Sequence, residues 1–368
     1  MKRKTLPCIF TAAIAFISFF APLNANLLSA REQRRAINLY QLLEKDMNFS
    51  QNEFQEMKEY KVITKRLRAE TKHELAVFGI VRFNVPREFF IQNYRKDGMN
   101  IETATVKMKG EFSDSPGLDD LRMFSMSLEE LKDLAECKPC DCKVKVSTGF
   151  MEKFRQLDKF APDFQDRANI LIRKAVLEYI QKYLKKGNDA LIVYYDKENP
   201  IHIAKEFQEL LDKSQYIQSY APELHKYLEK FPESEPHSVD NVFYWAKENF
   251  GGKAKRSIIN INHDVFYQRP GARNELIVAS KQLYATHYYE AALGLTMMID
   301  DPENNEPGFY LMHLNRSRID VLREIPGFLA KRLFKRVNKL LHTKMSIAKK
   351  NMEGAYRATQ PTITSYKH

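Results

Sequence analysis

The feature that most constrains this chain is a long C-terminal segment, Pro326 to Met352. Its apolar residues Leu329, Leu333, Val337, Leu340, Leu341, Met345 and Ala348 recur every three or four positions. On a 3.6-residue repeat that spacing makes one stripe along a helix, and a stripe must be covered by something. Pro326 suits the start, because the first helical turn has no use for the missing N–H. The other faces carry Lys331, Arg332, Lys335, Arg336, Lys339, Lys344, Lys349 and Lys350, with no Asp or Glu. Two readings follow. In one, a basic amphipathic helix touches anionic lipid or another acidic partner through Lys331, Arg332, Lys335, Arg336 and Lys339. In the other, a core helix has an outer face that is only solvated.

The opposite end reads as an export signal, residues 1–25. Lys2, Arg3 and Lys4 form a charged start, Leu6 to Phe20 is apolar, and Ala21-Pro22-Leu23-Asn24-Ala25 offers a small residue at the cut. Ala30 marks a second, poorer site. The alternative is an uncleaved anchor, although the apolar run is at or below the roughly 18–20 residues that span a bilayer. Cys8 lies too early in the run to be a lipoprotein attachment cysteine. The expectation is an exported bacterial protein, periplasmic or secreted, soluble once the signal is removed.

The chain has 58 basic and 47 acidic residues. Without Lys2, Arg3 and Lys4 the balance is 55 against 47, or +8, and the terminal helix alone carries eight positive charges. The rest of the mature chain is therefore near neutral. A nucleic-acid binder more often spreads its positive charge over several elements, so no nucleic-acid partner is expected. Residues 26–368 show no internal repeat, low-complexity segment or Gly/Ser/Pro linker, and they read as a single α+β domain.

Strands are expected at Tyr60 to Leu67, His73 to Asn84 and Ile101 to Lys109. His73 to Asn84 is apolar on both faces, which predicts a central strand covered on both sides. Pro86 to Tyr94 reads as a short helix, as does Arg31 to Lys45. A largely helical insertion follows, about residues 127–250. Ser127 and Glu130 form a capping pattern there, Asp163 to Lys186 makes a long amphipathic helix closed by Gly187, and further helices fall at His202 to Leu211, Pro222 to Lys230 and Val239 to Phe250. Short strands are read at Lys143 to Val146 and Ala190 to Tyr195. Strands return at Ile259 to Tyr267 and Glu275 to Met298 (two strands, or one bent), then at Phe309 to Leu314 after the loop at 300–308. The terminal helix, 326–352, would close an antiparallel sheet.

This outline resembles the helix-grip fold, and the chain is similar to a divergent member of the START-like superfamily of hydrophobic-ligand binders. The matching parts are Tyr60 to Tyr94 and Ile258 to Met352. Pro86-Arg87-Glu88-Phe89-Phe90, after a strand ending Asn84-Val85, is similar to that family's entry into its first helix. The helical insertion departs from the family pattern. The chain also resembles uncharacterised exported bacterial proteins, which brings no activity with it. The resemblance implies a sheet wrapped on the terminal helix with an apolar cavity between them, suited to a lipid or other hydrophobic molecule.

Tyr284, His287 and Tyr289 form a polar cluster inside an apolar run, and His287 is the one acid–base candidate for an enzyme using the same pocket. His263 and His313 also fall on apolar strand faces. Arg316 and Arg318, beside Asp320, read as an anion clamp at the cavity mouth or as a turn with a local Arg316–Asp320 ion pair. No G-x-S-x-G, H-E-x-x-H or phosphate-cradling glycine loop occurs, so no catalytic residue is assigned. Neither the three histidines nor Cys137, Cys140 and Cys142 have metal-site spacing, and no metal or cofactor is implied. In an oxidising compartment one disulfide is expected, Cys137 with Cys142 ahead of the Cys140 alternative. The expected function is binding or carrying a hydrophobic ligand. The alternatives are an envelope enzyme with His287, and an assembly protein acting through the basic helix.

Overall fold

The structure, a computed structural model, describes residues 38–97, 106–234, 236, 238–249, 257–269, 276–301 and 308–360. The export signal, the first part of Arg31 to Lys45, residues 101–105 and most of the 300–308 loop lie outside these. In chain order the helices are α1 (Leu39–Lys45), α2 (Gln51–Lys58), α3 (Arg87–Asp97), α4 (Leu128–Ala135), α5 (Thr148–Arg155), α6 (Phe164–Lys186), α7 (Ile203–Asp212), α8 (Gln215–Tyr220), α9 (Pro222–Lys230), α10 (Val321–Glu324) and α11 (Gly327–Thr359). The strands are β1 (Ile63–Arg66), β2 (Glu74–Phe83), β3 (Val106–Glu111), β4 (Val193–Tyr194), β5 (Ile201–His202), β6 (Val239–Glu248), β7 (Ile258–Gln268), β8 (Leu276–Ala285), β9 (Tyr289–Asp300) and β10 (Phe309–Ile319).

Eight strands form one antiparallel sheet in the order β1-β2-β10-β9-β8-β7-β6-β3. Strands β6 to β10 run as a meander, and β2 pairs with the free side of β10. The protein is α+β, with a large antiparallel sheet and a long C-terminal helix. As its two-sided apolar pattern predicts, β2 is buried at every position. Ala76, Phe78 and Ile80 enter a core shared with the helical segment, while Leu75, Val77, Val81 and Phe83 face the other way. The sheet thus separates a broad helical layer from the terminal helix.

Within the helical layer local signals set the boundaries. Ser127 and Glu130 make the reciprocal capping bonds that start α4. Glu130 is also buried and bonds Lys247 Nζ at 3.1 Å, so it does more than decorate the surface. Gly187 closes α6 at φ +52°, against the carbonyl of Phe231, where a Cβ would collide with backbone.

Two expectations fail here. The segment read as a helix over Val239 to Phe250 instead holds strand β6, Val239–Glu248, paired along its whole length with β7. Its β-branched and aromatic residues fit a pleated surface, and Trp245 is buried with its Nε1 donating to Asp120 O at 3.1 Å. The helical segment therefore ends near residue 230. Lys143 to Val146 forms no strand, although Lys145 N donates to Thr286 O and Tyr195 N to Val146 O.

Helix α11 begins one residue later than predicted, with Pro326 as its N-cap, and runs on to Thr359. It crosses β1 and β2. Phe334 and Met345 are buried, and Leu333, Val337, Leu341, Ala348, Met352 and Tyr356 pack partly against the sheet. Met345 reaches Gly79, where any Cβ would meet its sulfur, so the close crossing depends on that glycine. Leu329, counted in the stripe, is 37% exposed.

Candidate functional site

The long helix α6 distributes its residues in three rows. Ala168, Ile172, Val176, Ile180 and Tyr183 are buried in the core. Leu171, Ala175 and Tyr179, four residues apart and half-buried, form the next row, and Lys174, Glu178 and Lys182 form an exposed third. The middle row opens onto a cleft of about 660 Å³ between the helical layer and the sheet. Phe150 from α5, Ile192 and Val193 beside the 187–190 turn, and Ile261 and Tyr284 from β7 and β8 complete its apolar walls. Lys153, Lys174, Lys182, Glu178 and Asp189 stand around its mouth. Pockets for small ligands have this volume and this balance of apolar wall to few polar groups.

Two tyrosines tie the sheet to the helical layer beside the cleft. Tyr179 Oη donates to Leu283 O at 2.7 Å, and Tyr194 Oη accepts from Ala285 N at 3.0 Å. Burial raises the hydroxyl pKa of Tyr179, Tyr194 and Tyr284 above the usual range, so all three act as neutral hydrogen-bonding groups.

On the same face, where β2 begins and β10 ends, lies a cluster of ionisable groups. Glu74 pairs with Arg316, and Arg318 pairs with Glu206 and, at 2.8 Å, with Glu209. Arg323 holds Glu290 through two bonds of 2.8 and 3.2 Å. The β9–β10 register skips Glu290 opposite Arg318 and Ile319, a bulge that re-aims its side chain. His73 Nε2 lies 3.6 Å from Glu290 Oε2 and 4.0 Å from Glu206 Oε2. Burial alone would raise the Glu206 carboxyl, but His73 and Arg318 overcome it and hold the pKa at about 2. Asp320 does not pair with Arg316: it bonds Lys145 at 2.9 Å and lies 3.7 Å from Lys197.

A third polar network is closed off in the core. Lys281 bonds Asn188 and, at 3.1 Å, Tyr183 Oη, with Nζ 4.1 Å above the Phe207 ring. Burial without a carboxylate drives its pKa far down. His263 bridges Tyr183 Oη at 3.1 Å and Asn241 at 2.8 Å, and burial with the nearby Lys281 keeps it neutral.

The predicted ligand set is thereby dispersed. Tyr284 lines the cleft, and His287 is buried in the β8–β9 turn next to Thr286, which does. The polar cluster in the apolar run is that turn. His263 lies in the helical-layer core. Tyr289 packs toward α11, and His313 is half-buried with Nδ1 2.9 Å from Thr296 Oγ1 and Lys344 nearby. The three histidines do not converge. Arg316 and Arg318 are buried in ion pairs and do not line the cleft. Cys137 and Cys142 are bonded and Cys140 is exposed. Lys331, Arg332, Lys335, Arg336 and Lys339 are all exposed on α11. The cleft itself was missed, although the i, i+4 row Leu171, Ala175, Tyr179 beside Lys174 and Lys182 was a usable signal. Comparison with family models, with curated proteins and with solved structures gives no match.

Proposed function

We propose that this protein binds a hydrophobic ligand, a lipid or similar amphiphile, in the cleft between α6 and the β7–β8 strands. The observation that carries this is the apolar volume itself, walled from both layers and open at one side to lysines. A cleft of about 660 Å³, open on one side, suits an acyl chain lying along it. Burying the chain supplies roughly 25 cal/mol per Å² before association costs, and Lys153, Lys174 and Lys182, which outnumber Glu178 and Asp189 at the mouth, favour an acidic head group. The reading keeps the hydrophobic ligand of the START-like resemblance but places it across the sheet from the terminal helix.

The test is displacement of a fluorescent fatty acid from the mature chain. Ala175→Trp, which fills the cleft from a half-buried position, should abolish binding while leaving the far-ultraviolet circular dichroism unchanged. Lys174→Glu with Lys182→Glu should weaken a fatty acid several-fold and spare the corresponding alcohol. Unchanged affinity in Ala175→Trp rules the cleft out.

A second reading rests on a different observation. Phe328 is 62% exposed at the start of α11, directly before the exposed Lys331, Arg332 and Lys335. Apolar and basic residues arranged in this way suit contact with an anionic membrane surface. Cosedimentation with phosphatidylglycerol vesicles, lost in Phe328→Ser and falling steeply with salt, would support it.

A further inference from the structure

The cluster at the start of β2 has a geometry that ion pairing alone does not explain. Glu206 and Glu290 are each bonded by a guanidinium, Arg318 and Arg323 respectively, at the same Oε2 atoms that face His73. Their carboxylates converge on His73, whose Nε2 is buried, has no hydrogen-bond partner, and sits 3.6 and 4.0 Å from them. Those separations are too long for hydrogen bonds. The three donor atoms all lie within 4.8 Å of one another. Ligands placed about 2.1 Å from one tetrahedral ion stand roughly 3.4 Å apart, so the trio is open by a few tenths of an ångström at His73 and by up to about 1.4 Å between the carboxylates.

Charge points the same way. Apart from the Glu74–Arg316 pair, Glu206, Glu209 and Glu290 face Arg318 and Arg323, three negative charges against two positive. That excess rests on the part-exposed Glu209, and it favours a cation. The scaffold holds the donors in place: His73 O accepts from Ile319 N at 2.9 Å, Glu290 is set by the β9 bulge, and Glu206 sits in the first turn of α7. Guanidiniums bonded to metal-binding carboxylates orient them as an outer shell does elsewhere.

We propose that His73, Glu206 and Glu290 bind a divalent metal ion of the zinc class, with water completing the coordination. One imidazole nitrogen and two carboxylate oxygens suit zinc better than calcium or magnesium, which prefer oxygen alone. The site is separate from the cleft, and the proposal does not depend on the ligand reading.

The test uses the full mature chain, stripped with chelator and titrated with zinc chloride alone by calorimetry at pH 7. One equivalent should bind at micromolar affinity or tighter. His73→Asn, close in size and neutral, should weaken this at least 100-fold, as should Glu206→Gln, while His202→Gln, at an exposed histidine, should leave it unchanged. Pulsed electron paramagnetic resonance of the copper-loaded wild type needs no variant to fold, and it should show one coordinated imidazole. Absence of stoichiometric uptake, uptake undiminished in a folded His73→Asn, or a count other than one imidazole overturns the assignment.

Discussion

His313 shows how a single side chain ties stability to pH. Burial, and then the Lys344 charge on α11, push its pKa down to about 4 from the ordinary 6.5. Between those values the unfolded chain binds a proton that the folded chain refuses. Stability is therefore full above pH 6.5 and is lost as pH falls toward 4, by on the order of 3 kcal/mol. His263, held neutral by burial and Lys281, adds to the loss below pH 6.5. Urea unfolding at pH 7 and pH 4.5 should show a smaller difference for His313→Gln than for the wild type, and equal differences would refute this assignment. The cysteines give a second check: chain lacking residues 1–25 should titrate one thiol before reduction, Cys140, and three after. At this scale the sequence told little about the ionic cluster. Glu206 in a first turn reads as ordinary helix charge, and His73-Glu74 reads as a strand flank. Their partners Arg318 and Arg316 lie more than a hundred residues away, which no local pattern connects. Cys137–Cys142 and the Ser127–Glu130 cap were legible because both are local.

At the scale of elements, two glycines govern how helices seat. Gly187→Ala would place a Cβ against Phe231 O in a left-handed conformation, and should destabilise the protein by at least about 2 kcal/mol in urea melts. Gly79→Leu should displace Met345 and lift α11 from β2, seen as faster amide exchange along 334–348 with little change in the helical layer. Protection unchanged in that variant would mean the crossing does not depend on the glycine. Helices with strong caps and long apolar rows were found at their true places, α6 above all. The β6 sequence reads equally as a helix, because its aromatic residues are compatible with both periods over ten residues. Only pairing with β7 and β3 decides between them.

For the whole molecule, the run of strands before the terminal helix points to an antiparallel sheet beside it, as found, yet says nothing of which face of that sheet holds free space. The terminal helix sits closely enough to need Gly79, whereas the helical layer leaves the cleft open along one row of α6. Cavities arise from how layers fit, which sequence spacing does not encode. The most direct measurement is native mass spectrometry of the protein purified from its own host, with any released molecule identified. The account predicts one hydrophobic molecule per chain, absent from Ala175→Trp. A chain that is empty, and stays empty after incubation with a lipid extract, would contradict it.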